Sequence, residues 1–294
     1  MKDKLKQHVD ILVKSSEPIY FYMDFDGTLT QSYDVLYQPF IPKIAELVES
    51  GVGFGVATGR SYIDYKKWLE FIPVNLPHIL DDGRVMYDLL DDSLKTFSGL
   101  SKAYIHELHK IASSMGFLIV AEDANGYYAN GRQAERLFRF SFGYPKEIVS
   151  GNILDIENCT SIYLIHKHGK KIDNDDFYNE ILFKLNCITG MPIETFIVYD
   201  SWIKLRTGDS NKAKGIMQAI KNKYAHYKRL IFIGDNVNDI PAFEYACLSI
   251  SVDSGVEMAR AHADIILTRE EITGLLSYLT ATKTATCPSI DTVV

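Results

Sequence analysis

Near both ends of the chain, short apolar runs alternate with helical segments, and this alternation restricts the fold more than any other feature. Ile19 to Met23 reads as a buried strand with no polar side. Pro42 to Ser50 reads as a helix, with Pro42 near its first turn and Gly51 just past its end. Gly53 to Ala57 is a second strand. Ser61 to Phe71 is a second helix with Ser61 as its N-cap, and Ile79 to Leu80 ends a third strand. The order β-α-β-α-β predicts an α/β fold, a Rossmann-like parallel sheet with helices on its faces. The same grammar returns late. A helix capped by Asn211 precedes strands at Leu230 to Ile233, Leu248 to Val252 and Asp264 to Leu267, and Glu271 to Leu279 closes with a helix.

The middle of the chain is written differently. Asp82-Gly83, Asn125-Gly126 and Asn130-Gly131 are turn pairs, and Ser161 to His166 and Ile193 to Tyr199 are longer strands. Helices are expected at about Lys102 to Met115 and Asp175 to Leu185. The pattern predicts an α+β domain on an antiparallel sheet, inserted at 83–201 into a core made of 1–82 and 202–294. Such an insert would serve as a lid over a site on the core.

Three exclusions follow from composition. The chain of 294 residues carries a formal charge of −7, which gives no support for nucleic-acid or anionic-membrane binding. It also means that an anionic substrate needs local positive charge or a metal. No run is long enough to span a bilayer. Cys159, Cys187, Cys247 and Cys287 form no Cys-x-x-Cys pair, so free thiols and a cytoplasmic location are expected.

Four constellations carry chemistry. Asp24-Phe25-Asp26-Gly27-Thr28 follows the first strand. Residues two apart on extended chain point the same way, so both carboxylates can face one site at the carboxyl end of the sheet. Ala57-Thr58-Gly59-Arg60 ends the second strand, where a hydroxyl and backbone N–H groups can hold phosphate oxygens. Lys214 lies in the helix after Asn211 and suits a phosphoryl oxygen, with Lys212 half a turn away as its rival. Gly234-Asp235-Asn236-Val237-Asn238-Asp239 offers the oxygen ligands that magnesium prefers. Singly, each has an ordinary reading as a turn, cap or solvated side chain. Together they form the set that phosphoryl transfer requires.

In order and spacing, Asp24-x-Asp26-Gly27-Thr28, Thr58, Lys214 and Gly234-Asp235-x-x-Asn238-Asp239 resemble the signature motifs of the haloacid dehalogenase superfamily of phosphatases. The last motif, the position of the insert and Ser254-Gly255-Val256-Glu257-Met258-Ala259 are similar to its Cof-type subfamily. Asp82-Gly83 departs from the Asn-Gly usual there. The resemblance implies a magnesium-dependent hydrolase acting on a small phosphorylated metabolite. It implies that Asp24 attacks phosphorus to form an aspartyl-phosphate, and that Asp26 protonates the leaving oxygen and then activates water. Thr58, Gly59, Lys214 and Asn238 would hold phosphoryl oxygens. Asp24, the backbone carbonyl of Asp26, Asp235 and Asp239 would make the Mg2+ site. A phosphohexomutase of the same superfamily and a non-catalytic binding module are the alternatives.

Overall fold

The structure is a computed structural model that describes residues 10, 18–32, 34–141, 148–149, 151–168, 179–180, 183–184, 193–198, 202–221 and 229–286. Most of the helix expected at Asp175 to Leu185 lies outside these residues. By contacts the chain divides into two compact units. One comprises Met1–Arg60, Tyr65–Ser93 and Asn211–Val294, and the other comprises Ser61–Asp64 and Leu94–Ser210.

The first unit is built on a sheet whose strands are β1 (Tyr20–Asp24), β4 (Gly53–Ala57), β5 (His78–Leu80), β6 (Val85–Asp88), β13 (Leu230–Gly234), β14 (Leu248–Val252) and β15 (Ile265–Leu267); of the eighth strand, β7 (Ser93–Thr96), only Ser93 belongs to this unit. Their order is β15-β14-β13-β1-β4-β5-β6-β7. Strands β2 (Thr30–Ser32) and β3 (Val35–Leu36) form a small separate hairpin. The pairs from β15 through β5 are parallel. Strand β1 lies between β13 and β4, which explains its continuous apolar run, since every residue in it is buried. Register places Asp24 opposite Ala57 and Met23 opposite Ile233. Asp24, Thr58 and Asp235 therefore leave the sheet at one common edge.

Asp82 and Gly83 turn β5 into β6, which runs antiparallel to it. That hairpin extends the large sheet, so residues 83–93 stay with the first unit instead of opening the insert at 83. The helix expected over Ser61 to Phe71 is shorter and broken. Tyr62–Tyr65 is helical and Lys66–Trp68 tightens into a 3-10 turn. Its side chains explain the break: Tyr65 is buried while Lys66 and Lys67 are exposed, so no continuous apolar stripe runs along the segment.

The second unit has an antiparallel sheet in the order β11 (Ile193–Val198), β12 (Trp202–Thr207), β10 (Ser161–His166), β8 (Phe117–Asp123), β9 (Gly126–Ala129). Period-two alternation sends Phe117, Ile119 and Ala121 to one face, packed with Tyr104, Ile105 and Leu108 of helix Lys102–Ser114. Leu118 and Val120 go to the other, packed with Phe138 of helix Arg132–Ser141. This is the α+β architecture expected of the insert.

Candidate active site

The chain leaves β1 by turning sharply at Gly27, whose φ is 78°. Glycine is required there twice over. The left-handed backbone disfavours side chains, and a Cβ would sit 2.2 Å from an Asp235 carboxylate oxygen. Thr28 next in line donates its hydroxyl to Asp235 Oδ1 at 2.9 Å. Arg269, at the start of the helix Arg269–Thr286, fixes this turn from outside. Its guanidinium donates to the carbonyls of Thr28 at 3.2 Å and Thr30 at 3.0 Å, and also to that of Gly27. Sequence reading assigned Arg269 nothing, because carbonyl clamping by a distant arginine leaves no local pattern.

Lys212, not Lys214, is the lysine of the site. Its Nζ donates to Asp24 Oδ1 at 2.5 Å and to Asp239 Oδ1 at 2.6 Å, and its side chain is 1% exposed. Lys214 is exposed, and its backbone N–H donates to the Asn211 side chain at 2.9 Å, the expected cap. The helix phase explains the correction. Ala213, Ile216 and Ile220 face the core, and Lys212 lies one turn before Ile216 on that buried side. Lys214 is turned about 200° away from it. The spacing to Ile216 was the available signal.

Asp239 acts through both oxygens. Oδ1 takes Lys212, and Oδ2 accepts the backbone N–H groups of Asp235 at 2.9 Å and Asn236 at 3.0 Å. It thereby fixes the loop that presents Asp235. Asp24, Asp235 and Asp239 each offer one oxygen within 4.8 Å of the others. Burial pushes the Asp24 carboxyl well above the usual range. Lys212 opposes that shift, while Asp239 and Asp235 add to it. Asp235 is raised too, by burial and by Asp239. Burial alone would lower the Lys212 ammonium, yet Asp239, Asp24 and Asp82 together raise it. Three carboxylates thus share one ammonium, and the cluster is short of positive charge. Hard oxygen donors so arranged fit a divalent cation such as magnesium.

Asp26 does not join this cluster through its carboxylate. Arg60 holds it by two bonds, Nε to Oδ2 at 2.8 Å and Nη2 to Oδ1 at 2.6 Å. The remaining Nη1 binds Asp34 at 2.5 Å, and the guanidinium lies 4.8 Å from the Phe25 ring centre. The Asp26 side chain is 46% exposed, so solvent reaches its carboxylate. Thr58 is fully buried, and its Oγ1 accepts the Arg60 N–H at 3.1 Å, which leaves the hydroxyl proton free to donate. Gly59 lies against Asp82, and Asn238 Nδ2 donates to Asp82 Oδ1 at 2.8 Å. Of the predicted residues, then, Asp24, Asp26, Thr58, Gly59, Asp235, Asn238 and Asp239 gather at one sheet edge. Arg60, Asp82 and Lys212 join them.

A family profile of haloacid dehalogenase-like hydrolases matches residues 21–279. The 5-amino-6-(5-phospho-D-ribitylamino)uracil phosphatase YitU of Bacillus subtilis is 21% identical over 271 residues, covering 90% of this chain and 97% of that protein. The pyridoxal phosphate phosphatase YbhA of Escherichia coli is 20% identical over 254 residues, covering 83% and 91%. Among solved structures, BT1666 from Bacteroides thetaiotaomicron superimposes with a TM-score of 0.69 at 17% identity, covering 91% of this chain and 96% of that one.

Proposed function

The chain belongs to the haloacid dehalogenase-like hydrolase family and is a phosphatase of the Cof type, and from that premise we propose that it hydrolyses small phosphorylated metabolites through a phosphoryl group carried on Asp24. The observation that carries this reading is the convergence of Asp24, Lys212, Asp235 and Asp239 at the carboxyl ends of β1 and β13.

In the first half-reaction a carboxylate oxygen of Asp24 attacks phosphorus. The bond from phosphorus to the leaving oxygen breaks, and Asp26 gives that oxygen its proton. In the second half-reaction a water attacks the aspartyl-phosphate while Asp26 takes its proton. The products are inorganic phosphate and a restored Asp24 carboxylate. The exposure of Asp26 supports both of its roles, since leaving group and water must each reach it. Thr58, the Gly59 backbone, Asn238 and Lys212 hold the phosphoryl oxygens, with Lys212 in the role first given to Lys214.

Asp24 and Asp235 have oxygens to hold magnesium, with the backbone carbonyl of Asp26 as third protein ligand, while Asp239 keeps Asp235 and Lys212 in place. Bound there, magnesium supplies the positive charge that offsets repulsion between Asp24 and the substrate, about 4 kcal/mol per charge pair at about 4 Å and an effective dielectric near 20. The relatives act on a ribitylaminouracil phosphate and on pyridoxal phosphate, which supports a phosphomonoester of a small metabolite as substrate. Among the described residues no helix is long and apolar enough to cross a membrane. Action in the cytoplasm is part of the same proposal.

A chelator should abolish turnover of a phosphomonoester panel, and magnesium should restore it. Full activity in chelated, metal-free protein would overturn the cofactor assignment.

A further inference from the structure

Asp235 is gripped in two places, and one side chain ties the two grips together. Its carboxylate accepts the Thr28 hydroxyl at 2.9 Å, and its backbone carbonyl accepts the Val256 N–H at 2.8 Å. Thr28 belongs to the turn after β1, and Val256 to the turn after β14. Arg269 spans these turns. On one side its guanidinium donates to the carbonyls of Gly27, Thr28 and Thr30. On the other its Nη1 donates to the Ser254 hydroxyl at 3.3 Å. The packing has no slack. A Cβ on Gly27 would collide with the Asp235 carboxylate, and one on Gly255 would sit 2.8 Å from the Asp235 carbonyl oxygen. A shift of either turn therefore shifts Asp235.

Arg269 itself stands on a firm base. It opens the helix Arg269–Thr286 directly after Thr268. Thr268 and Glu271 cap that helix reciprocally: the Thr268 N–H donates to Glu271 Oε2 at 2.9 Å, and the Glu271 N–H donates to Thr268 Oγ1 at 3.2 Å. Ile272, Leu275, Leu276 and Leu279 anchor the helix through fully buried side chains. A guanidinium is planar, with its donors at fixed angles, so one such group fixes several acceptors relative to one another. An ammonium donates from a single nitrogen and cannot span them.

We propose that Arg269 is a positioning residue for the magnesium site: it holds the turns after β1 and β14 so that the Asp235 carboxylate meets the cation together with Asp24. The proposal rests on the cation assignment above. It carries a sign that charge alone would not give. A guanidinium repels a cation, so removing it would tighten magnesium binding if its charge were all that mattered. Losing the support behind a metal ligand loosens binding instead.

The test is isothermal titration calorimetry of magnesium, with no substrate present, into the native chain, Arg269→Ala and Arg269→Lys. Lysine keeps the charge and loses the fork, and it is the gentler change for folding. Both variants should raise the dissociation constant for magnesium by about tenfold, the lower end of what losing an outer partner of a metal ligand costs. Melting temperatures in metal-free buffer identify the variants that fold. Unchanged or tighter binding in a folded variant overturns the proposal. A lowered melting temperature with unchanged binding does so too, because Arg269 would then serve stability alone. A native chain that binds no magnesium overturns the cation assignment and the proposal with it. Magnesium bound equally by all three proteins removes only the role of Arg269.

Discussion

Removing the Lys212 ammonium would leave Asp24 and Asp239 facing each other with no cation between them. Lys212→Met should therefore reduce turnover by about 10² to 10³, the typical effect of losing a donor aimed at developing charge. Lys214→Ala, on the exposed face of the same helix, should leave turnover within about twofold, as surface substitutions usually do. Equal loss in both variants would reject the placement of Lys212. Most of the site was legible at this scale, because carboxylates and hydroxyls at strand ends have a fixed direction. What stayed hidden depends on contacts distant in sequence. Arg60 gains its meaning from Asp26 and Asp34, and Asp82 from Asn238.

Strand β5 carries a titratable group that its burial makes sensitive to acid. His78 is fully buried, its Nδ1 lies 3.2 Å from the Tyr65 hydroxyl, and its ring stacks on Tyr87. Burial lowers its pKa to about 3. The unfolded chain binds the proton at about 6.5. The stabilising effect is therefore fully present above about pH 6.5 and is lost as pH falls from there toward the folded value. The loss should reach about 2 kcal/mol by pH 5. Urea unfolding across this range should show a shallower pH dependence in His78→Gln than in the native chain, and identical slopes would contradict the assignment. Strand positions were readable from apolar runs, since burial on both faces of β1 and β13 leaves no polar residues until the chemistry begins. The segment after Ser61 was over-read as one helix, because the cap at Ser61 suggested a helix longer than any apolar stripe supports.

For the whole molecule, two units of different grammar were legible from the change of periodicity, while the dividing point was not. A hairpin turn such as Asp82-Gly83 belongs equally well to either unit until its strands find partners, and β6 finds its partner in β5. The net charge of −7 and the crowded carboxylates offer phosphate no basic surface, which is why the proposed mechanism needs Lys212 and a divalent cation. The account as a whole stands on Asp24 carrying the phosphoryl group. Asp26→Asn retains the nucleophile but cannot supply the base for the second half-reaction, so the phosphorylated chain should accumulate during turnover. Mass spectrometry after rapid acid quench should find one phosphoryl group per chain in that variant, located on Asp24. Phosphate trapped on a serine or histidine, or undiminished turnover by Asp24→Asn with no adduct, would contradict it.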